Sequence, residues 1–214
     1  VGTQVRQELV FELKDVSYGY GAGDVLHAVW LQIPARTTVL VSGPNGSGKT
    51  TLFKLLSGVL TPSQGRIDRW ISWAEMVSLG HETALYSGLT VLENLRFWTR
   101  MYRSQKPERE LLDLLARAGL EAVAYEPASH LSRGMAQRLS LARVLALTPK
   151  VLLLDEPMTG LDGPSQDMIR REVVRARRRG ATVLLITHSP DTDIQSADYR
   201  LELGEGKATM RAWD

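Results

Sequence analysis

Three features of this 214-residue sequence predict an α/β fold built on a mainly parallel sheet. Two continuous apolar runs, Val151-Leu152-Leu153-Leu154 and Thr182-Val183-Leu184-Leu185-Ile186-Thr187, read as strands buried on both faces, as parallel strands are. Helical segments stand between the strands, which implies βαβ units. A third apolar run, Thr38 to Ser42, feeds a glycine-rich loop, Gly43-Pro44-Asn45-Gly46-Ser47-Gly48, and then a helix that opens with Lys49-Thr50. That succession of strand, loop and helix is the context a P-loop requires.

From the N-terminus, Leu9 to Val16 partly alternates and reads as a strand, with Gly19, Gly21 and Gly23 marking a turn region. A second strand runs from Val25 to Ile33 and stops at Pro34. These strands form an N-terminal antiparallel unit. After the P-loop helix, closed by Gly58, a strand pair is expected near Arg66-Ile67-Asp68 and Met76-Val77-Ser78-Leu79. The pattern then turns helical. Leu92, Leu95, Phe97 and Met101, then Leu111, Leu112, Leu114 and Leu115, give the apolar faces of two helices. A third begins near Arg133 and carries Met135, Leu139, Ala142 and Ala146 on one side. Residues 86–148 are thus read as an α-helical subdomain inserted into a P-loop NTPase core, within one domain spanning 1–214. Pro164 suits the first turn of a helix bearing Ile169, Val173 and Ala176. Tyr199 to Met210 reads as a closing hairpin through Gly204-Glu205-Gly206.

The P-loop carries the chemistry. Its backbone N–H groups and the helix dipole cradle phosphates, and glycines let the main chain approach without a Cβ in the way. The nucleoside-triphosphate-binding set is Gly43, Pro44, Asn45, Gly46, Ser47, Gly48, Lys49, Thr50 and Thr51. Lys49 reaches the β- and γ-phosphates, and the Thr50 hydroxyl takes Mg²⁺. Strand 151–154 ends in Asp155-Glu156. An acid at that strand end suits the Mg²⁺ shell, and Glu156 one residue further suits the base that accepts a proton from the attacking water. His188 ends the next strand and can serve as a hydrogen-bonding switch on the γ-phosphate side, although on spacing alone a surface histidine fits as well.

Composition bounds the rest. A 43% hydrophobic and 23% charged content belongs to a globular chain, and a net charge of +2 gives no argument for a nucleic-acid partner. The absence of cysteine excludes disulfides and thiolate metal sites and fits the cytoplasm. No run reaches the ~18 apolar residues of a membrane span, and the polar start from Val1 to Glu8 does not read as a signal peptide. The arginines between Arg170 and Arg179 read as a solvated helix face.

Together these residues resemble the nucleotide-binding subunit of ATP-binding-cassette (ABC) transporters almost end to end. Leu131-Ser132-Arg133-Gly134-Met135 resembles the Leu-Ser-Gly-Gly-Gln signature, Gly160-Leu161-Asp162 the D-loop, and Thr187-His188 the switch histidine. Tyr20 stands where the family stacks an aromatic on adenine, with Tyr18 the nearby alternative. The resemblance implies a Mg²⁺-dependent ATPase whose two subunits pack head to tail. Each ATP then lies between one P-loop and Ser132, Arg133, Gly134 and Met135 of the other chain. It also implies transmembrane permease partners and a peripheral place on the inner face of the cell membrane. Three departures stand out: Arg133 and Met135 in the signature, Ala35-Arg36-Thr37 before the P-loop strand, and His81 where the family has a Mg²⁺-shell Gln. Leu79-Gly80-His81 and the Leu89–Phe97 segment further resemble the ATP-binding subunit of the haem exporter of cytochrome c maturation. An ATPase of a drug, lipid or polysaccharide exporter is the alternative. A soluble ABC ATPase, such as one for iron–sulfur assembly, is the alternative of another class.

Overall fold

The computed structural model describes residues 8–21, 23–80, 84–187 and 197–213. Nine strands and five helices follow one another among them. The order is β1 (Leu9–Tyr20), β2 (Gly23–Pro34), β3 (Thr38–Ser42), α1 (Lys49–Leu56), β4 (Gln64–Arg69), β5 (Met76–Leu79), α2 (Val91–Met101), α3 (Glu108–Arg117) and α4 (Arg133–Ala146). β6 (Val151–Asp155), α5 (Gly163–Arg178), β7 (Thr182–Ile186), β8 (Tyr199–Gly204) and β9 (Lys207–Ala212) complete it.

The three apolar runs become the centre of a six-stranded sheet in the order β5-β6-β7-β3-β8-β9. Every pairing in it is parallel except β8 with β9, the closing hairpin. β3, β6 and β7 are buried at every position, so their side chains feed two cores by turns. Leu40, Leu152, Leu154, Val183 and Leu185 face one core, shared with α2 to α5. Val39, Val41, Val151, Leu153, Leu184 and Ile186 face the other, with α1 and the N-terminal sheet. The helices 91–146 therefore share a continuous core with the sheet.

α1 is only eight residues long, too short to be stable alone. Leu52, Leu55 and Leu56 are fully buried, and each contributes about 1.5–3 kcal/mol, which fixes the helix whose first turn holds the loop.

The N-terminal unit is a three-stranded antiparallel sheet, β2-β1-β4. β1 continues beyond the expected Val16 to Tyr20, and β2 starts at Gly23, so the turn is tighter than the glycines suggested. The expected pairing of 66–68 with 76–79 is corrected: β4 joins β1, whereas β5 joins β6 in the main sheet. Burial explains the split. β4 is exposed or half-buried throughout and suits a one-sided sheet, while Met76, Val77 and Leu79 are buried and suit an α/β core. Met101 is likewise corrected; it is 64% exposed, and α2 buries Val91, Leu92, Asn94, Leu95 and Thr99 instead.

Candidate functional site

Strand register brings the chemistry to one edge. Asp155 pairs with Ile186, and Ile186 with Val41, so β3, β6 and β7 all end at the same level. At that edge Gly43 adopts φ 147° and Gly48, the N-cap of α1, φ 96°. A Cβ on Gly43 would lie 2.2 Å from the Leu203 carbonyl oxygen, and one on Gly48 3.0 Å from side-chain carbons of both Val25 and Leu26. The loop is thus wedged between β8 and β2: a Cβ is excluded at Gly43 and would push Val25 and Leu26 aside at Gly48. Val25, Leu26 and Leu203 are the walls that the sequence pattern missed, because nothing local marks a residue far along the chain as a neighbour.

Lys49 is buried, and its Nζ donates to the carbonyls of Gly43 at 2.8 Å and Pro44 at 2.9 Å. The ammonium is thereby held against the loop, whose backbone N–H groups suit an anion. Thr50 Oγ1 donates to Asp155 Oδ2 at 2.8 Å. Asp155 is only 4% exposed, and its Oδ1 is buried with no hydrogen-bond partner. An unpartnered buried carboxylate oxygen beside a hydroxyl fits a hard, oxygen-seeking cation such as Mg²⁺. Among the described residues no three His, Cys, Asp or Glu cluster together. Beyond such protein ligands, phosphate and water oxygens commonly complete a Mg²⁺ shell.

Glu156 follows in the left-handed region, at φ 50°. Its N–H donates to the Ile186 carbonyl at 3.2 Å, and its Oε2 accepts from Thr159 Oγ1 at 3.3 Å. Strain of this kind collects where a side chain is aimed for function. Thr187 is buried at the end of β7, its N–H bonded to the Val41 carbonyl. His81 and His188 lie outside the described residues.

Tyr20 is 54% exposed at the end of the β1–β2 hairpin, and the Tyr18 ring meets it edge-on at 5.1 Å. Tyr18 itself packs on the core, and the next strand carries the Val25 and Leu26 that touch Gly48. Of the two rings, Tyr20 is the one left exposed.

Ser132 caps α4; its Oγ accepts from the Met135 N–H at 3.3 Å. Ser132 and Arg133 are exposed, while Gly134 and Met135 are half-buried. A Cβ on Gly134 would meet Leu161, and one on Gly160 would meet the Arg133 guanidinium, so this helix start rests on the loop leading to α5. Asp162 caps α5 by accepting from the Ser165 N–H at 3.0 Å, and hydrogen bonding with Ser165 holds its carboxyl below the usual range. Among the described residues no hydrogen bond joins 132–135 to 43–51. Within one chain, then, no described hydrogen bond ties the two halves of the expected site together.

A family model described as "ABC transporter" matches residues 26–159. The cytochrome c biogenesis ATP-binding export protein CcmA 2 of Cupriavidus metallidurans is 34% identical, over 85% of this chain and 90% of its own length. CcmA of Nitrobacter winogradskyi is 38% identical over 79% of this chain and 87% of its own. The sulfate/thiosulfate import ATP-binding protein CysA of Pseudomonas syringae is 33% identical over 91% of this chain, which spans 64% of that protein. Among solved structures, an ATP-binding subunit of an ABC transporter superposes with a TM-score of 0.88 at 28% identity, covering 96% of this chain and 90% of that one. A dimeric ATP-binding cassette in a post-hydrolysis state with ADP and phosphate gives 0.81 at 25% identity, covering 94% and 98%.

Proposed function

The chain belongs to the ABC transporter family, as its ATP-binding and ATP-hydrolysing subunit, and we propose that it drives a membrane exporter of the haem-export type. The observation that carries the catalytic part is the Thr50–Asp155 hydrogen bond with the unpartnered Asp155 Oδ1 beside it. Those two residues would hold Mg²⁺, which supplies charge neutralisation at the β- and γ-phosphates when bound. Lys49 exchanges the Gly43 and Pro44 carbonyls for phosphate oxygens, and the N–H groups of 43–51 wrap the rest. Tyr20 stacks on the adenine. Glu156 takes the proton of the water that attacks the γ-phosphate, and His188 hydrogen-bonds the departing phosphate.

Because Ser132 to Met135 rest on the α5 loop of their own chain, the γ-phosphate contact comes from a second copy. Its Ser132 hydroxyl and the N-terminus of α4 approach the bound nucleotide, in an arrangement that a two-fold axis repeats. The Asp162 loop travels with that helix start. Among the described residues no helix is long and apolar enough to cross a membrane. Permease subunits hold the chain at the inner face of the cell membrane.

Export, and haem as cargo, are supported by the 34% and 38% identities to CcmA proteins and by Leu79-Gly80-His81. The importer CysA at 33% identity favours the opposite direction, so the decisive arm is transport. In vesicles containing the chain with its membrane subunits, ATP should drive haem out of the compartment that holds the chain. ATP-driven uptake of sulfate or another solute into that compartment would overturn the export reading. For the site itself, turnover should rise with protein concentration, and Glu156→Gln should trap an ATP-dependent dimer. Turnover independent of concentration and of partner subunits would refute the paired site.

A further inference from the structure

The closing hairpin carries a charge arrangement that the described residues do not balance. β8 and β9 pair so that Arg200 stands directly opposite Arg211, Glu202 opposite Thr209 and Gly204 opposite Lys207. Side chains directly opposite share one face of the sheet, with Cβ atoms about 5 Å apart. Leu201 and Leu203, on the other face, are buried in the core. The first face therefore presents Arg200, Arg211 and Lys207, with Glu202 as its carboxylate. Like charges directly opposite are destabilising. Glu202 relieves this only in part. Its Oε1 lies 3.0 Å from Arg200 Nε, but that buried N–H makes no hydrogen bond. Among the described residues no carboxylate pairs with Arg211 or Lys207, and both are exposed.

These cations line a cavity of about 600 Å³, whose opposite wall is Gly43, Pro44 and Thr187. Ser42 pairs with Glu202, so the P-loop leaves β3 at the foot of the cavity. Gly43 and Pro44 are the residues whose carbonyls accept from Lys49 Nζ, and Gly43 also packs against the Leu203 carbonyl. The cavity thus shares a wall with the triphosphate loop, while its cations come from a hairpin that the site described above does not use. Charged side chains commonly guard an edge strand, and β9 is one. That accounts for Lys207 and Arg211 but not for Arg200, since β8 lies inside the sheet between β3 and β9.

We propose that this cavity binds a phosphate monoester, held by Arg200, Arg211 and Lys207, and that the bound ligand weakens the grip of the adjoining P-loop on ATP. Three cations against one carboxylate leave an excess of two positive charges in the lining. A phosphate monoester carries roughly −1.5 to −2 at neutral pH, which matches that excess. Guanidinium forks bind phosphate oxygens in pairs, and two of them face each other here. The volume falls within the ~300–1,000 Å³ of small-molecule sites, so an organic body fits beyond the phosphate. A dianion beside Gly43 and Pro44 repels the γ-phosphate that Lys49 would hold. Binding does not depend on the transport reading; the effect on ATP rests on the assigned role of the P-loop.

The test loads the chain with Mg²⁺ and a non-hydrolysable ATP analogue, which fills the P-loop, and titrates it with phenyl phosphate. Phosphorus NMR and Tm report binding. Wild type should bind saturably, and Arg211→Gln should weaken binding by about tenfold or more. Glu202→Gln, which removes the carboxylate competing for Arg200, should tighten it. Without ligand, Arg211→Gln should keep its basal ATPase and a Tm at or above wild type, because an opposed like charge is gone. In turnover, phenyl phosphate should raise the KM for ATP in wild type and leave it unchanged in Arg211→Gln. Equal binding by wild type and Arg211→Gln, or none by either, would overturn the site and leave the ATPase reading standing. A KM that rises equally in both would mark competition at the P-loop itself, and one that rises in neither would remove the coupling; each overturns the proposal. A lower Tm in ligand-free Arg211→Gln would make the cation structural and overturn it as well. Phosphatidic acid vesicles separate the sources of the phosphate. Arg211-dependent capture on them without phenyl phosphate binding would assign the site to a lipid headgroup, and the reverse result to a soluble ester. A wild-type chain without ATPase activity would remove the ATPase reading and the coupling, while binding lost in Arg211→Gln would still support the site.

Discussion

Replacing Glu156 with glycine should stabilise the chain relative to Glu156→Ala while both variants stop hydrolysis. Glu156 sits at φ 50°, where a side chain bearing a Cβ costs about 1–2 kcal/mol. Glycine removes that cost, but its looser unfolded chain gives back about 0.4–1 kcal/mol. The net advantage of Gly over Ala is therefore about 0.5–1 kcal/mol. Both substitutions lose the contact from Thr159 Oγ1 equally, so the comparison isolates the backbone. At this chain length the gain corresponds to a Tm difference of about 1–4 °C. Urea unfolding of the isolated variants, with steady-state ATP turnover measured alongside, reads both quantities. Thr148, at φ 47° in the turn between α4 and β6, supplies the control. There Gly should again exceed Ala in stability, but with turnover intact. If Glu156→Gly is no more stable than Glu156→Ala, the backbone there is not strained in solution and the argument from left-handed geometry fails. Turnover surviving in Glu156→Gly would move the base role to another group.

Two further predictions concern the loops around the site. Asn94→Ala removes an amide that ties Tyr86, Leu89 and Thr90 together, and should cost about 2–4 kcal/mol in urea unfolding, with faster hydrogen exchange at the Tyr86 amide. Asn94→Asp should be worse still, because a carboxylate would face three carbonyls; a variant as stable as wild type would show that the clamp is not formed. The carboxyl of Asp162 is lowered from its ordinary 3.8 by hydrogen bonding with Ser165. Its contribution to stability is then fully present above the unfolded value and is lost as pH falls through the lower folded one. Asp162→Asn, which keeps the capping oxygen, should flatten the pH dependence of stability below about pH 4 and leave it nearly unchanged at neutral pH. An acid limb identical to wild type would show that the cap carries no charge-dependent share.

The sequence by itself determined the parts of the molecule whose physics is contiguous. A loop that must approach phosphates needs its glycines next to one another, so Gly43 to Thr50 was legible, as was the acid pair that ends a wholly buried strand. The same holds for the helix starts near Arg133 and Pro164, whose caps the structure assigns to Ser132 and Asp162. The tertiary structure alone decided which of these meet. Thr50 and Asp155 are 105 residues apart, and no periodicity in either segment says that a hydroxyl and a carboxylate will share a hydrogen bond. It also sent β4 and β5 to different sheets, since a short apolar run encodes how deeply a strand is buried and not its neighbour. Arg143 and Trp98 show the limit from the other side. In the sequence each is an ordinary helix residue, and only the crossing of α2 and α4 turns them into a buried cation stacked on an aromatic ring. Burial pattern is a property of one segment, whereas a site is a property of where several segments end, and that is fixed by packing across the whole core.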